Sequence, residues 1–137
     1  MPIYMNQGGS SGGGGMLETL LWENESPSEA FGGQDVSLSD NLSNYDYIKI
    51  EFKRLKSASS ADYTELRNII SWGDLEYSSF ILGVFQSTSS SDITLYSRKV
   101  WVRNNGTSIK FGACYNASSN VSNNNIVPIK IYGVNIS

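Results

Sequence analysis

An Asn-Gly step between two alternating segments constrains the fold of this chain more than any other feature. It lies in VWVRNNGTSIKFGACY, residues 100–115, where Asn105 and Gly106 separate two runs in which apolar and polar side chains alternate. Both central residues of a type I′ turn need positive φ, and Asn and Gly are the residues that adopt it most readily. The segment therefore predicts a β-hairpin with Asn105 and Gly106 at its turn.

Counting residues outward from the turn gives the expected pairing of the two hairpin strands. The apolar side chains of both strands then share one face, which supports this register. Ile93 and Leu95 are out of phase with that face, so we expect a β-bulge near residues 97–99. Trp101 and Lys110 are expected together on the opposite face. The predicted pairs are Val102 with Ile109, Val100 with Phe111, Arg98 with Ala113, and Tyr96 with Tyr115.

Other segments also have the patterns of strands. Residues 47–53 (YIKIEFK) alternate, which predicts one apolar and one solvent-facing side. Residues 79–86 are almost continuously apolar, as in a strand covered on both faces. Residues 36–38 and 126–137 are further candidates, and Pro128 should lie at a strand start or a sheet edge because it cannot donate to a ladder. The last strand must pair with an earlier one, so we expect it to close the domain beside the strands near the N-terminus.

These short strands, joined by Gly, Ser and Asn turns, predict an all-β fold: an antiparallel β-sandwich, jelly-roll-like. Composition divides the chain of 137 residues into two parts. Residues 1–15 form a Gly/Ser-rich leader with the composition of a flexible linker. Residues 16–137 have the size of a single domain. The leader is either a native hinge behind an anchoring segment, MPIYM, or a cloning scar or expression tag.

Composition also argues against several classes of function. The chain has no His and one Cys, Cys114, which excludes His-based catalytic and zinc sites and an intramolecular disulfide. Charged residues make up 17% of the chain and the net charge is -3, which argues against nucleic-acid binding. Residues 1–15 lack the apolar region of a signal peptide, and no run reaches about 20 apolar residues. We therefore expect no membrane insertion.

The acidic residues do not form a recognisable catalytic or metal motif. Glu23, Glu25 and Glu29 are close in sequence, but glycoside hydrolysis needs two carboxylates that face each other across a cleft. The stretch GGQDVSLSDN, residues 32–41, has oxygen ligands for calcium but lacks the EF-hand spacing, so a plain polar loop is the simpler interpretation. We expect a protein that is not an enzyme and needs neither a cofactor nor a metal.

Aromatic residues are the candidates for ligand binding, because a ring face can pack against the C–H face of a sugar. Tyr63, Trp72 and Tyr77 lie in or beside loop-like sequence, and Trp101 should lie on the outer face of the hairpin. The alternative for each residue is burial in a core or an interface, which is the commoner use of aromatic side chains.

Arg98 is expected to be structural rather than ligand-binding. Its position on the apolar face of the hairpin leaves two explanations: it snorkels from the end of a sheet, or it pairs with a carboxylate such as Asp46, Asp74 or Glu76. Cys114 is expected on the polar side of its strand. A structural role is also expected for Trp22, Pro128 and Tyr132.

The two ends of the domain carry a recurrent pattern. Leu-Trp-x-Asn at residues 21–24 is followed by Pro27, Phe31 and Gln34, and the chain closes with NNNIVPIKIYGVN, residues 123–135. This pattern resembles the small tail-fibre or receptor-binding-type β domains encoded by phages and prophages of gut Firmicutes. The matching framework residues are Leu21, Trp22, Asn24, Pro27, Phe31, Gln34, Pro128, Lys130, Ile131, Tyr132 and Gly133, with Arg98 before the hairpin.

The resemblance implies a phage-derived virion or tail-associated structural protein that binds a glycan or protein on the host surface. It implies a homo-oligomer, with a trimer as the expected state, in contact with other virion proteins. Such a protein is made in the bacterial cytoplasm and then found in the virion or outside the cell after release. It could be a fibre tip, a capsid decoration or a baseplate part. The alternative is a free-standing carbohydrate-binding module without particle attachment.

Overall fold

The computed structural model describes residues 15–57, 60–61, 66–71, 79–87, 93–116, 119–121 and 126–136. Within these ranges the regular structure is β, apart from two 3-10 turns, and no helix is long and apolar enough to span a membrane. The strands are β1 (Met16–Glu23), β2 (Gln34–Ser37), β3 (Tyr47–Ser57), β4 (Ser60–Ala61), β5 (Leu66–Ser71), β6 (Ser79–Ser87), β7 (Ile93–Arg103), β8 (Ser108–Asn116), β9 (Ser119–Val121) and β10 (Ile126–Ile136).

Two antiparallel sheets pack against each other, which confirms the predicted β-sandwich. In the first sheet β1, β10 and β3 lie side by side, and β4 and β5 both pair with β3. In the second sheet the order is β2, β8, β7 and β6, and β9 pairs with β8. The hydrophobic core lies between them and draws on both sheets, as shown by the fully buried side chains of Ile50, Ile131, Val100 and Phe111.

The predicted jelly-roll connectivity is not confirmed. A jelly roll consists of two Greek keys whose strands interleave between the two sheets. Here β5 pairs antiparallel with β3 in the same sheet, and β6, β7 and β8 pair with one another in chain order as a meander. Among the described strands, the chain therefore changes sheets after β1, β2, β5 and β9.

Strand β3 confirms the apolar face expected from its alternation. Ile48, Ile50 and Phe52 are at most 1% exposed and point into the core. The prediction of a solvent-facing opposite side is wrong for Lys49 and Glu51, which are only 4% and 7% exposed. Neighbouring side chains cover this face of the sheet.

The cover over Lys49 comes from the two strands beyond β3 in the same sheet. Its ammonium group forms a salt bridge with Glu18 of β1 and lies 4.7 Å from the ring centroid of Tyr132 on β10. A buried charge is tolerated only when it is paired, and this contact supplies the pair. Tyr132 thus has a packing role on the outer face of the first sheet. Burial raises the pKa of its hydroxyl, and the nearby Glu51 carboxylate raises that pKa further.

The C-terminal strand closes the sandwich, as expected. β10 lies between β1 and β3 and pairs antiparallel with both. Pro128 is placed where its missing N–H costs little: β1 ends at Glu23, opposite Lys130, so Pro128 lies beyond the end of β1. On the side of β3 the register shifts between Pro128 and Lys130, which marks a bulge.

The hairpin turns at Asn105 and Gly106 as predicted, but the turn is wider than a two-residue type I′ turn. Asn104 also has positive φ (54°), and the strand pairing closes at Arg103 and Ser108. Thr107 N donates to Asn104 O over 3.2 Å, with Asn105 and Gly106 between them. Asn105 has φ 54° and ψ 37°, and Gly106 has φ 91°, close to the values of a type I′ turn. The pairs Val102 with Ile109 and Val100 with Phe111 are confirmed.

Beyond Val100 the predicted register is wrong by one residue. Arg98 pairs with Cys114, not with Ala113, and Tyr96 pairs with Asn116, not with Tyr115. The expected bulge does lie beside Arg98, but the extra residue belongs to β8, which advances three positions while β7 advances two. This shift turns Cys114 into the core, where it is fully buried, so its expected place on the polar side is also wrong.

Candidate functional site

A crevice of about 570 Å³ opens between the end of β1, strand β2 and the segment that joins them. Trp22 and Phe31 contribute aromatic surface to its lining, and Asn24 and Gln34 contribute amide groups. Its volume is in the range of small-ligand sites, and its lining is more polar than apolar. The crevice is therefore the candidate binding site of this protein.

Asn24 holds the first turn of the joining segment in place. Its backbone N–H donates to Ile129 O over 2.8 Å, and its Nδ2 donates to Pro128 O over 2.9 Å. Its Oδ1 accepts a hydrogen bond from Ser26 N over 2.8 Å, which closes an Asx turn. One side chain thus ties the mouth of the crevice to β10 and shapes the loop that follows.

Three aromatic rings form the floor behind the crevice. Trp22 lies edge-on to Phe31, with 5.9 Å between ring centroids, and Phe31 lies edge-on to Phe111 at 5.4 Å. Trp22 and Phe111 are 6.2 Å apart. Edge-to-face contacts of this kind stabilise aromatic clusters beyond simple burial. Trp22 consequently serves both as packing for the core and as part of the lining.

Arg98 fixes Phe31 from the interior. It is fully buried, its Nη2 donates to Phe31 O, and its Cζ lies 5.5 Å from the Phe31 ring centroid. Its Nε donates to Cys114 Sγ over 3.1 Å. Burial lowers the pKa of Arg98, and the Cys114 thiol acts in the opposite direction. The guanidinium therefore acts as a support that sets the position of the crevice wall.

Of the carboxylate partners suggested for Arg98, Asp46 lies within the described residues, where it makes a different contact. Asp46 accepts a hydrogen bond from Ile136 N over 3.0 Å at the far end of the first sheet. Asp74 and Glu76 lie outside the described residues. Among the described residues, Arg98 contacts the Phe31 carbonyl oxygen, the Phe31 ring and the Cys114 thiol.

Four carboxylates line the crevice: Glu23, Glu25, Glu29 and Asp35. In the described part of the chain, no group of three or more His, Cys, Asp or Glu residues is placed to hold a metal ion. Lys130 Nζ lies 4.0 Å from Glu23 Oε2, and both side chains are partly exposed. The arrangement suits hydrogen bonding and charge attraction to a ligand larger than a metal ion.

Trp101 lies on the outer face of the second sheet, with Lys110 beside it as predicted. A Cβ at position 112 would lie 2.8 Å from Trp101 Cζ3, so the ring rests directly on Gly112. Lys99 and Lys110 place their ammonium groups 5.4 Å and 5.7 Å from the ring centroid. The neighbouring Ile81, opposite Lys99, is 61% exposed, so the predicted cover on both sides of β6 is wrong there.

The remaining ligand-binding candidates, Tyr63, Trp72 and Tyr77, lie outside the described residues. Sequence reasoning did not predict the crevice. The signal that could have found it is the opening motif, since Trp22, Asn24, Phe31 and Gln34 all line it. The closing motif contributes Pro128, whose carbonyl oxygen accepts the Asn24 hydrogen bond.

Comparison of the chain with protein-family models and with curated proteins gives no match.

Proposed function

We propose that this protein is a phage-derived, particle-associated module that binds a glycan or a protein on a bacterial host surface. The crevice is the observation that carries this proposal. It joins ring surface from Trp22 and Phe31 to hydrogen-bonding groups from Asn24 and Gln34. Sugars present both C–H faces and hydroxyl groups, so a binding site for them needs these two kinds of surface together.

The rigid anchoring of the crevice supports a binding role. Asn24 and Arg98 fix the joining segment from two directions, through hydrogen bonds to Pro128 O and to Phe31 O. A site that is already ordered loses less conformational freedom when a ligand binds, which favours affinity.

Particle attachment and self-assembly complete the proposal. Residues 1–15 would tether the domain to other virion proteins, and the protein would act as a homo-oligomer, with a trimer as the expected state. Several copies on one particle convert weak single contacts into strong overall binding. The protein would be located in the virion, or outside the cell after release of the particle.

The test is binding of the fluorescently labelled full chain to intact cells of gut Firmicutes. Ala30 is exposed and lines the crevice, so Ala30→Trp is expected to block it and abolish cell binding. Ser43→Trp adds the same side chain at an exposed position outside the crevice lining and is the matched control. Equal binding by Ala30→Trp and the wild type would overturn the crevice as the binding site.

The outer face of the second sheet favours a second candidate, a free-standing carbohydrate-binding module. Trp101 packs against Gly112 and is partly exposed on the outer face of this sheet, so its ring is a candidate platform for a sugar. Light scattering on the purified protein separates the two candidates. A stable trimer favours the particle-associated module, whereas a monomer together with loss of sugar binding in Trp101→Ala favours the free-standing module.

A further inference from the structure

The charged residues in the described lining of the crevice are all acidic. Four of its described lining residues, Glu23, Glu25, Glu29 and Asp35, are carboxylates, and the described lining contains no Lys or Arg. All four residues are exposed, so their charges face solvent and contribute to the field around the crevice. Charges of one sign around a concave site concentrate ligands of the opposite sign.

The described cations that contact or pair with lining residues do not neutralise this negative charge. Lys130 is 4.0 Å from Glu23 with both side chains partly exposed, and such pairs interact weakly in water. Lys110 pairs in register with Asp35, but its ammonium group lies over the Trp101 ring. Arg98 is fully buried behind Phe31, so its charge does not face the ligand.

The aromatic part of the lining also favours a positively charged ligand. Trp22 lines the crevice and is partly exposed, and an aromatic ring attracts a cation placed over its face. Phe31 also lines the crevice but is buried and contacts Arg98 from the interior. A single metal ion is a poor fit, because the described acidic side chains do not gather into a metal-binding group. A larger ligand that carries ammonium groups on a hydroxylated frame can contact the Trp22 ring and more than one carboxylate at the same time.

We propose that the crevice selects saccharides that carry free amino groups over N-acetylated and anionic saccharides. The proposal rests on the proposed binding function and names the ligand class of that same site. N-acetylation removes the positive charge while keeping the sugar ring. A uronate has the same ring but meets four like charges.

The test compares three oligosaccharides of equal length, built from glucosamine, N-acetylglucosamine and glucuronate. Each is titrated into the isotopically labelled full chain at about pH 6, where the amine is protonated. The glucosamine oligomer is expected to bind about tenfold more tightly than its N-acetylated counterpart, from a few weak charge pairs acting together. The preference should disappear in 1 M salt, where the screening length falls to about 3 Å.

The double variant Glu25→Gln/Glu29→Gln is expected to lose most of the preference. Asp46→Asn removes one carboxylate outside the crevice lining while keeping an oxygen that can accept from Ile136 N, and it should keep the preference. Equal or tighter binding of the N-acetylated or uronate oligomer, or no binding of any of the three, would overturn the ligand class. The broader function fails separately, if Ala30→Trp still binds cells as the wild type does.

Discussion

Asn24 and Pro128 are joined by a hydrogen bond of 2.9 Å from the Asn24 side-chain amide to the Pro128 carbonyl oxygen, across 104 positions of sequence. Pro128 lies just past the point where β1 stops pairing with β10. The Asn24 side chain therefore continues, by one bond, the ladder that the backbone of β1 leaves off. This contact links the two ends of the domain at the mouth of the crevice.

Loss of this contact should destabilise the domain measurably. Asn24→Ala removes the hydrogen bonds to Pro128 O and from Ser26 N, and we expect the free energy of unfolding to fall by about 1–3 kcal/mol. Asn24→Asp keeps the acceptor for Ser26 N and should be intermediate. Urea denaturation measures both changes. Wild-type stability in Asn24→Ala would show that the side chain does not hold the loop.

Replacing Arg98 should disturb the crevice wall from the interior. Arg98→Met leaves the buried Phe31 carbonyl without its guanidinium donor, so we expect a loss of about 1.5–3 kcal/mol in unfolding free energy. The near-ultraviolet circular dichroism of the Trp22 and Phe31 cluster should change as well. Arg103→Met, at an exposed position of β7, is the matched control and should stay within about 0.5 kcal/mol. Equal effects of the two variants would contradict a supporting role for Arg98.

Gly133 is required by the close approach of Tyr45. A Cβ at position 133 would lie 2.6 Å from Tyr45 Cδ1, so Gly133→Ala should cost about 1–3 kcal/mol through overpacking. Gly83→Ala is the control, because its nearest neighbour would be Leu95 Cδ1 at an ordinary 3.5 Å. Adding Tyr45→Ala should remove most of the penalty at position 133, measured as non-additive unfolding free energies. Strictly additive effects would contradict this contact.

The Asp40–Tyr45 hydrogen bond of 2.8 Å should make stability pH-dependent at both extremes. The Tyr45 hydroxyl lowers the pKa of Asp40 below its usual 3.8, so this stability is present above pH 3.8 and is lost as the pH falls through the lower folded value. Burial, and then the bond to Asp40, raises the pKa of Tyr45 above 10.0, so its contribution is present below pH 10.0 and lost as the pH rises through the raised value.

Tyr45→Phe tests both limbs, because it removes the hydroxyl and keeps the ring. Urea midpoints measured from about pH 3 to about pH 11 should vary less in this variant than in the wild type. An unchanged pH profile would mean that the pair does not contribute.

The hairpin shows how far the sequence could predict the fold. The turn and the first two apolar pairs follow from Asn105-Gly106 and from alternation, and both are present. The register beyond them depends on an extra residue in β8, and alternation does not reveal it because Gly112 and Ala113 are small enough for either face. The packing of Trp101 on Gly112 accompanies this bulge, and that contact is visible in the structure but not in the sequence.

The crevice was less predictable because it depends on the packing of the two sheets. Trp22 and Gln34 lie on strands of different sheets, and nothing in their spacing indicates a shared cavity. Alternation does not predict the burial of Lys49 for the same reason, since Glu18 and Tyr132 reach it from other strands of its sheet. The motifs at the two ends of the domain indicate a framework, but not that its residues meet at one crevice.

Chemical-shift mapping of the labelled protein with solubilised cell-wall fragments of a gut Firmicutes host tests the central claim most directly. The account predicts shifts for the Trp22 indole N–H, the Gln34 side-chain amide and the backbone of residues 23–37. Shifts confined to Trp101 and its neighbours on the second sheet, with the crevice resonances unmoved, would contradict the crevice as the binding site.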